Sequence, residues 1–154
     1  MKIVVRVPNW IGDCILALPA IESIRLNFPE AQIWIAAQDW VKDLFASNGL
    51  VHGVIPLPQL KKWKTIRASA QNLSEGGFDT GVLFTNSFAS AFLFYLADIP
   101  QRWGYATDGR SLLLTRSARL KDEDIPRHQV YYYLGLLSGL GLQAFSAGIR
   151  LPLA

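Results

Sequence analysis

The stretch that most limits what this chain can fold into is Val4–Ala20, VVRVPNWIGDCILALPA. A short apolar strand, Ile3–Val7, runs into a Pro8-Asn9-Trp10 corner, then Gly12-Asp13, then a helical apolar pattern. A strand, a glycine-bearing turn and a helix start form the unit with which an α/β domain presents a site at the carboxyl ends of its strands. The rest of the chain repeats the alternation. Asp13–Asn27 is expected to be helical, with Ile11, Ile15, Leu18, Ile21, Ile24 and Phe28 near one face. Pro19 should kink or restart that helix, because its ring removes a donor and crowds the preceding turn. Gln32–Ala37, Gly53–Leu57 and Asp79–Thr85 read as strands, the last of them central because it is mostly apolar. Trp103–Ala106 reads as a fifth strand, and Arg110–Arg119 reads either as irregular or as carrying a strand at Leu112–Thr115. Between them fall helices at Trp40–Ser47, Trp63–Leu73 and Ser87–Ala97, the last capped by Asn86 or Ser87, and His128–Leu140 closes the pattern.

Strands separated by helices predict an α/β fold: a Rossmann-like parallel sheet with helices on both faces. A length of 154 residues, 51% of them hydrophobic, supplies one sizeable core. Residues 1–147 are expected to form that domain. Gly148–Ala154, GIRLPLA, reads as the start of a linker, as though a second domain should follow. Cys14 is the single cysteine, which leaves no intramolecular disulfide and fits a reducing cytoplasm. No apolar run approaches the roughly 20 residues that cross a bilayer. The net charge of +3 leans toward anionic partners. Without an arginine-rich tract or recognition motif, nucleic acid is not among the partners expected.

Several residues carry chemistry. Asp13 sits where the opening strand gives way to a helix. It reads either as a carboxylate able to take a proton from a bound hydroxyl, or as an ordinary N-cap that accepts backbone N–H groups and suits the helix dipole. Asn86-Ser87 reads likewise as a cap after a strand, or as polar contact with a ligand at the same sheet edge. Lys61, Lys62, Lys64 and Arg67 flank Trp63. They read as a docking face for an anionic glycolipid or membrane leaflet, or as a solvated helix face. Arg102, Arg110, Arg116 and Arg119 form a second basic set whose forked guanidinium groups suit phosphates and carboxylates, or simply the surface. His52 and His128 are too isolated for a metal site. Cys14 has no base partner and reads as a small buried residue. Of Tyr131, Tyr132 and Tyr133, at least one should reach the core.

Read together, the motifs resemble a known family. Pro8-Asn9-Trp10-Ile11-Gly12-Asp13 followed by Ala17-Leu18-Pro19-Ala20 resembles the N-terminal signature of the ADP-heptose:lipopolysaccharide heptosyltransferases. Thr85-Asn86-Ser87-Phe88 with Ser90-Ala91, Ile99-Pro100 through Arg102-Trp103-Gly104-Tyr105, Arg110–Thr115, and His128-Gln129 before Tyr132-Tyr133-Leu134 follow in order. The Pro-Asn-Trp-Ile-Gly-Asp form and the Asn-Ser-Phe motif look more like type II members. The resemblance implies the N-terminal, acceptor-binding half of a two-domain GT-B glycosyltransferase. ADP-heptose would be held mainly by a C-terminal half absent from this sequence. It implies inverting transfer of L-glycero-D-manno-heptose to the lipopolysaccharide inner core, with Asp13 as general base, no metal or other cofactor, and little activity for this stretch alone. Asn9, Trp10, Gly12, Asn86, Ser87, Arg102 and Arg110 would contact substrate. Lys61, Lys62, Trp63, Lys64 and Arg67 would meet anionic lipid at the cytoplasmic face of the inner membrane.

Two other readings remain open on the residues alone. One is a nucleotide-binding Rossmann domain of another enzyme, against which stands the lack of Gly-x-Gly-x-x-Gly after the first strand. The other is a non-enzymatic module for acidic glycans or membranes, acting through the Lys61–Arg67 face.

Overall fold

A computed structural model describes residues 1–46, 49–119 and 129–144. It contains a six-stranded, wholly parallel sheet in the order β3-β2-β1-β4-β5-β6. The strands are β1 (Lys2–Arg6), β2 (Gln32–Ala37), β3 (Gly53–Pro56), β4 (Thr80–Leu83), β5 (Gln101–Tyr105) and β6 (Arg116–Ala118). The helices are α1 (Ile11–Asn27), α2 (Asp39–Ala46), α3 (Trp63–Glu75), α4 (Phe88–Leu96) and α5 (Gln129–Gly139). The alternation read from the sequence is therefore the fold.

Strand periodicity builds two cores, one on each face of the sheet. Ile3, Val5 and Val7 of the opening stretch point to one side with Ile33, Ile35, Val82 and Phe84. There they meet Cys14, Leu18, Ile21 and Ile24 of α1, Phe45 of α2, and Leu136 and Leu137 of α5. Val4, Ala36 and Leu83 point to the other side, against Leu73 of α3 and Leu93 and Phe94 of α4. Side chains alternate across a strand, so apolar residues in sequence feed both layers.

The core face of α1 runs through Cys14, Ala17, Leu18, Ile21 and Ile24, and Ile11 stands out in solvent. Pro19 lies within one continuous helical span, Ile11–Asn27, and is buried there. The turn tolerates its missing N–H, and Ser23 Oγ donates to the Pro19 carbonyl at 2.9 Å.

The expected strand at Leu112–Thr115 is a correction. Ser111–Leu113 is a 3₁₀ turn, and the strand begins later, with Arg116 opposite Trp103. The cause is Arg110, which is fully buried and pulls the chain inward just before that turn. Its Nε donates to the Tyr105 carbonyl at 2.9 Å, and Nη1 donates to the Ser87 carbonyl at 3.1 Å. The start of the closing helix expected at His128 and the linker at 148–154 lie outside the described residues.

Gly81 in β4 permits the close approach of α4: a Cβ built there would fall 2.4 Å from the Phe94 ring. Phe94 is itself fully buried, so it has little room to yield. Gly81→Ala should therefore lower stability by about 1–3 kcal/mol, the usual cost of overpacking a core. Urea unfolding of the two proteins measures it, and an unchanged midpoint would show that the α4 layer shifts freely.

Candidate functional site

The strand order reverses direction between β1 and β4, as connections run outward to β2 and β3 on one side and to β5 and β6 on the other. Helices on opposite faces leave a crevice at such a point, outside the carboxyl ends of the strands. A hollow of about 760 Å³ lies there. Asn9, Trp10, Asp13, Asn86, Ser87 and Lys61 of the predicted site residues all line it. Residues separated by more than seventy positions in the chain meet because β1 and β4 are hydrogen-bonded neighbours, from Ile3↔Thr80 to Arg6↔Leu83.

Trp10 is the N-cap residue of α1 and supplies no side-chain bond to it. Asp13 is therefore not the cap but lies in the first helical turn, where a carboxylate suits the dipole. It is half-buried, and among the described residues it makes no hydrogen bond or ion pair. It is also the one carboxylate lining the hollow among the described residues. Gly12, one residue earlier, is exposed, and a Cβ there would meet nothing within 4 Å.

On the β4 side, Ser87 is the N-cap of α4: its Oγ accepts from the Ser90 backbone N–H at 3.2 Å. Of the two caps expected, Ser87 takes the role. Asn86 Oδ1 and Thr85 Oγ1 are buried in the wall without a partner among the described residues. Buried polar atoms of this kind call for a bound donor or acceptor.

Among the lining residues that the sequence did not point to as site residues are Arg6, Gln38, Trp40, Tyr132 and Tyr133. Arg6 ends β1 and is only 4% exposed. Burial brings its guanidinium pKa down to about 10. Its Nη1 donates to the Val7 carbonyl at 2.6 Å and its Nη2 to Asn9 Oδ1 at 2.7 Å, which fixes the corner. From the other side Trp40 Nε1 donates to the Asn9 carbonyl at 2.6 Å. Tyr132 and Tyr133 come from α5, and burial pushes both phenols up, Tyr132 to about 12. Both stay protonated at neutral pH. Tyr105 Oη donates to the Tyr132 carbonyl at 2.6 Å, so β5 holds α5 in place.

Gly12 does not line the hollow, and two further predicted contacts, Arg110 and Arg102, lie away from it. Arg110 is sealed behind the wall: it does not line the hollow but holds the Ser87 carbonyl and stands 3.4 Å from Ser90 Oγ. Burial lowers its pKa to about 10. Arg102 lies near the start of β5, the opposite end of the sheet. It donates to the carbonyls of Ile99 and Leu113 and covers the Tyr95 ring at 5.3 Å. Both arginines satisfy backbone carbonyls that a sequence cannot reveal as their partners.

Lys62, Trp63, Lys64 and Arg67 are exposed around the start of α3. Trp63 is 6.0 Å from Phe92 of α4, and Phe92 stacks with Phe88 at 5.9 Å and with Tyr95 at 6.5 Å. Basic side chains thus border a row of surface rings. Among the described residues no helix is long and apolar enough to cross a membrane, and no group of three or more His, Cys, Asp or Glu could hold a metal ion.

A doubly wound parallel sheet whose switch point opens into a hollow lined by amides, hydroxyls, indoles and one acid has the architecture of a ligand-binding α/β domain. The sequence of residues 66–147 matches glycosyltransferase family 9 (heptosyltransferase), and the chain belongs to that family. It is 30% identical to lipopolysaccharide heptosyltransferase 2 of Salmonella typhimurium over 156 aligned residues, covering 99% of this chain and 44% of that protein. It is 30% identical to lipooligosaccharide heptosyltransferase 2 of Haemophilus ducreyi, covering 82% and 36%. The structure of Escherichia coli ADP-heptose LPS heptosyltransferase II superposes with a TM-score of 0.81 at 28% identity, over 99% of this chain and 46% of that one. A family 9 glycosyl transferase from Veillonella parvula shares the fold, with a TM-score of 0.86 at 19% identity, over 99% and 45%. The chain thus spans less than half the length of these relatives.

Cys14, next to Asp13, is buried, and its thiol donates to the Pro8 carbonyl at 3.1 Å. Burial, with a smaller contribution from Asp13, pushes the thiol up to about 12, against a partial offset from Arg6. A raised folded pKa favours the neutral thiol in the fold. Its contribution to stability is complete below about 8.5, the unfolded value, and is lost as pH climbs toward 12. Native protein at pH 8 should therefore resist iodoacetamide while urea-unfolded protein reacts at once. Mass spectrometry reads the outcome, and equal rates would mean the α1 start opens readily.

Proposed function

We propose that this chain is the acceptor-binding N-terminal half of an inverting heptosyltransferase that acts on the inner core of lipopolysaccharide. Residues 1–147 form the domain in this reading, and the following residues lead to a half that holds most of ADP-heptose. One observation carries the reading: Asp13 lines an open hollow, and among the described residues its carboxylate makes no hydrogen bond or ion pair. The acceptor sugar lies in the hollow, bounded by Asn9, Trp10, Asn86 and Ser87, with Gly12 just outside its lining. Its reacting hydroxyl faces Asp13. As the acceptor oxygen bonds to the anomeric carbon of the donor heptose, its proton passes to the Asp13 carboxylate and the bond to ADP breaks. Such a base needs no raised pKa, because the hydroxyl becomes acidic as the C–O bond forms. The departing diphosphate is stabilised by positive charge or helix N-terminal amides from the other half, and no metal is assigned to the step. Arg110 serves this site from behind, by holding the Ser87 carbonyl. The family membership weighs against both a nucleotide-binding domain of another enzyme and a non-enzymatic module.

The same reading places the domain on the cytoplasmic face of the inner membrane. Lys61, Lys62, Lys64 and Arg67 meet anionic headgroups, each worth about 1 kcal/mol near the surface. Trp63 and the neighbouring rings settle at the interface, where aromatic side chains are favoured. Lys61 lines the hollow, so the lipid-borne acceptor has a short path from bilayer to base.

Two measurements test these proposals. In the whole transferase, Asp13→Asn should lower kcat at least about 100-fold, the low end for a positioned general base. A loss below tenfold with unchanged circular dichroism would reduce Asp13 to a first-turn helix acid. Separately, the chain should co-sediment with vesicles containing anionic phospholipid but not with zwitterionic ones. Changing Lys61, Lys62 and Lys64 together to Gln should abolish that, and undiminished binding would remove α3 from the membrane contact.

A further inference from the structure

We infer that the hollow holds a second sugar ring of the acceptor, on a subsite formed by Trp40 and Gln38, beyond the ring presented to Asp13. The inference rests on the reading above that the ligand is a saccharide. It is carried by side chains which that reading leaves unused.

Gln38 follows β2 and Trp40 opens α2, so both stand beside the β1 corner rather than on the β4 side with Asn86. Gln38 is 6% exposed, lines the hollow, and its Oε1 has no hydrogen-bond partner among the described residues. A buried acceptor in that condition is satisfied by a donor brought from outside, and a sugar hydroxyl is such a donor. Trp40 is 49% exposed, a large apolar surface for a residue on the wall of a hollow. Its Nε1 is already engaged with the Asn9 carbonyl at 2.6 Å. What the indole has left to offer is its carbon surface, which suits the C–H face of a pyranose.

The platform is also held still. Asn9, which takes the indole N–H on its carbonyl, is gripped through its side chain by the buried Arg6. A ring fixed before binding loses little freedom when a ligand arrives. An apolar plate and an amide oxygen without a partner among the described residues, two positions apart in sequence and on the wall of one hollow, form a recognition pair for one ring. The hollow of about 760 Å³ has room for that ring as well as for the one at Asp13.

The test uses two probes: the methyl glycoside of L-glycero-D-manno-heptose, and a disaccharide with the same heptose at its non-reducing end. Saturation-transfer NMR titrations of the chain measure both. The disaccharide should bind at least tenfold tighter. Gln38→Leu should remove most of that advantage while leaving the monosaccharide constant unchanged; Trp40→Ala, which also frees the Asn9 carbonyl, should remove it too, read as the ratio of the two constants. Trp40 is half exposed and Gln38→Leu keeps the buried volume, so circular dichroism should report folded variants. If Trp40→Ala does not fold, Gln38→Leu alone decides. A monosaccharide that binds as tightly as the disaccharide overturns the subsite and leaves the acceptor reading standing. A disaccharide advantage that survives both substitutions also overturns it. Binding of neither probe would overturn the acceptor reading and the subsite together.

Discussion

The arrangement depends on β1 being hydrogen-bonded along both edges, to β2 from Lys2↔Gln32 to Arg6↔Ala36 and to β4 from Ile3↔Thr80 to Arg6↔Leu83. A strand with both neighbours parallel to it must send its next segment over a face of the sheet. The two halves of the chain therefore build outward from β1 in opposite senses. The loops after β1, β2 and β4 are left to converge at one end. Asp13, Gln38 and Asn86 share a hollow because of that pairing, and no contact among themselves is required.

Two buried guanidinium groups tune the hollow's wall in a similar way. Arg6 and Arg110 both end up among backbone carbonyls rather than carboxylates, and burial weakens the hold of each on its proton. A cation that satisfies carbonyls at a turn stiffens it without cancelling its charge. The Asn9 corner on one side and the Ser87 corner on the other are each stapled by one of these arginines. The polar wall of the hollow is thus rigid where a ligand would meet it, and mildly positive behind.

The order of elements was legible because hydrophobic period and turn residues change together along the chain, as at Phe28-Pro29 between α1 and β2. Helix starts were less so. Trp10 caps α1 with no side-chain bond, so the cap position gave no Ser, Thr or Asp signal and Asp13, in the first turn, was open to reading as a cap. The Leu112–Thr115 run has strand-like composition, and the burial of Arg110 just before it, with Arg102 holding the Leu113 carbonyl, accompanies the turn found there instead. Hollow-lining residues that follow β1 and β4 in sequence, Asn9, Trp10, Asp13, Asn86 and Ser87, could be named in advance. Gln38 and Trp40 also follow a strand end but were not named, because only the strand order puts the end of β2 beside that of β1, and Tyr132 and Tyr133 depend on the docking of α5. An arginine carries no mark in sequence of whether it will face solvent or a carbonyl, and Arg102 and Arg110 were misplaced for that reason.

The chain of contacts from Arg6 through Asn9 to Trp40 joins the interior of the sheet to the rim of the hollow. Its members belong to three different elements, yet they behave as a single brace. Sequence drift at the innermost member would be felt two residues away in space as a loosened wall, with no change in any group that meets solvent. Attempts to retune what the hollow accepts have more leverage from underneath than from the surface. Libraries confined to visible lining positions would miss the strut that sets their geometry.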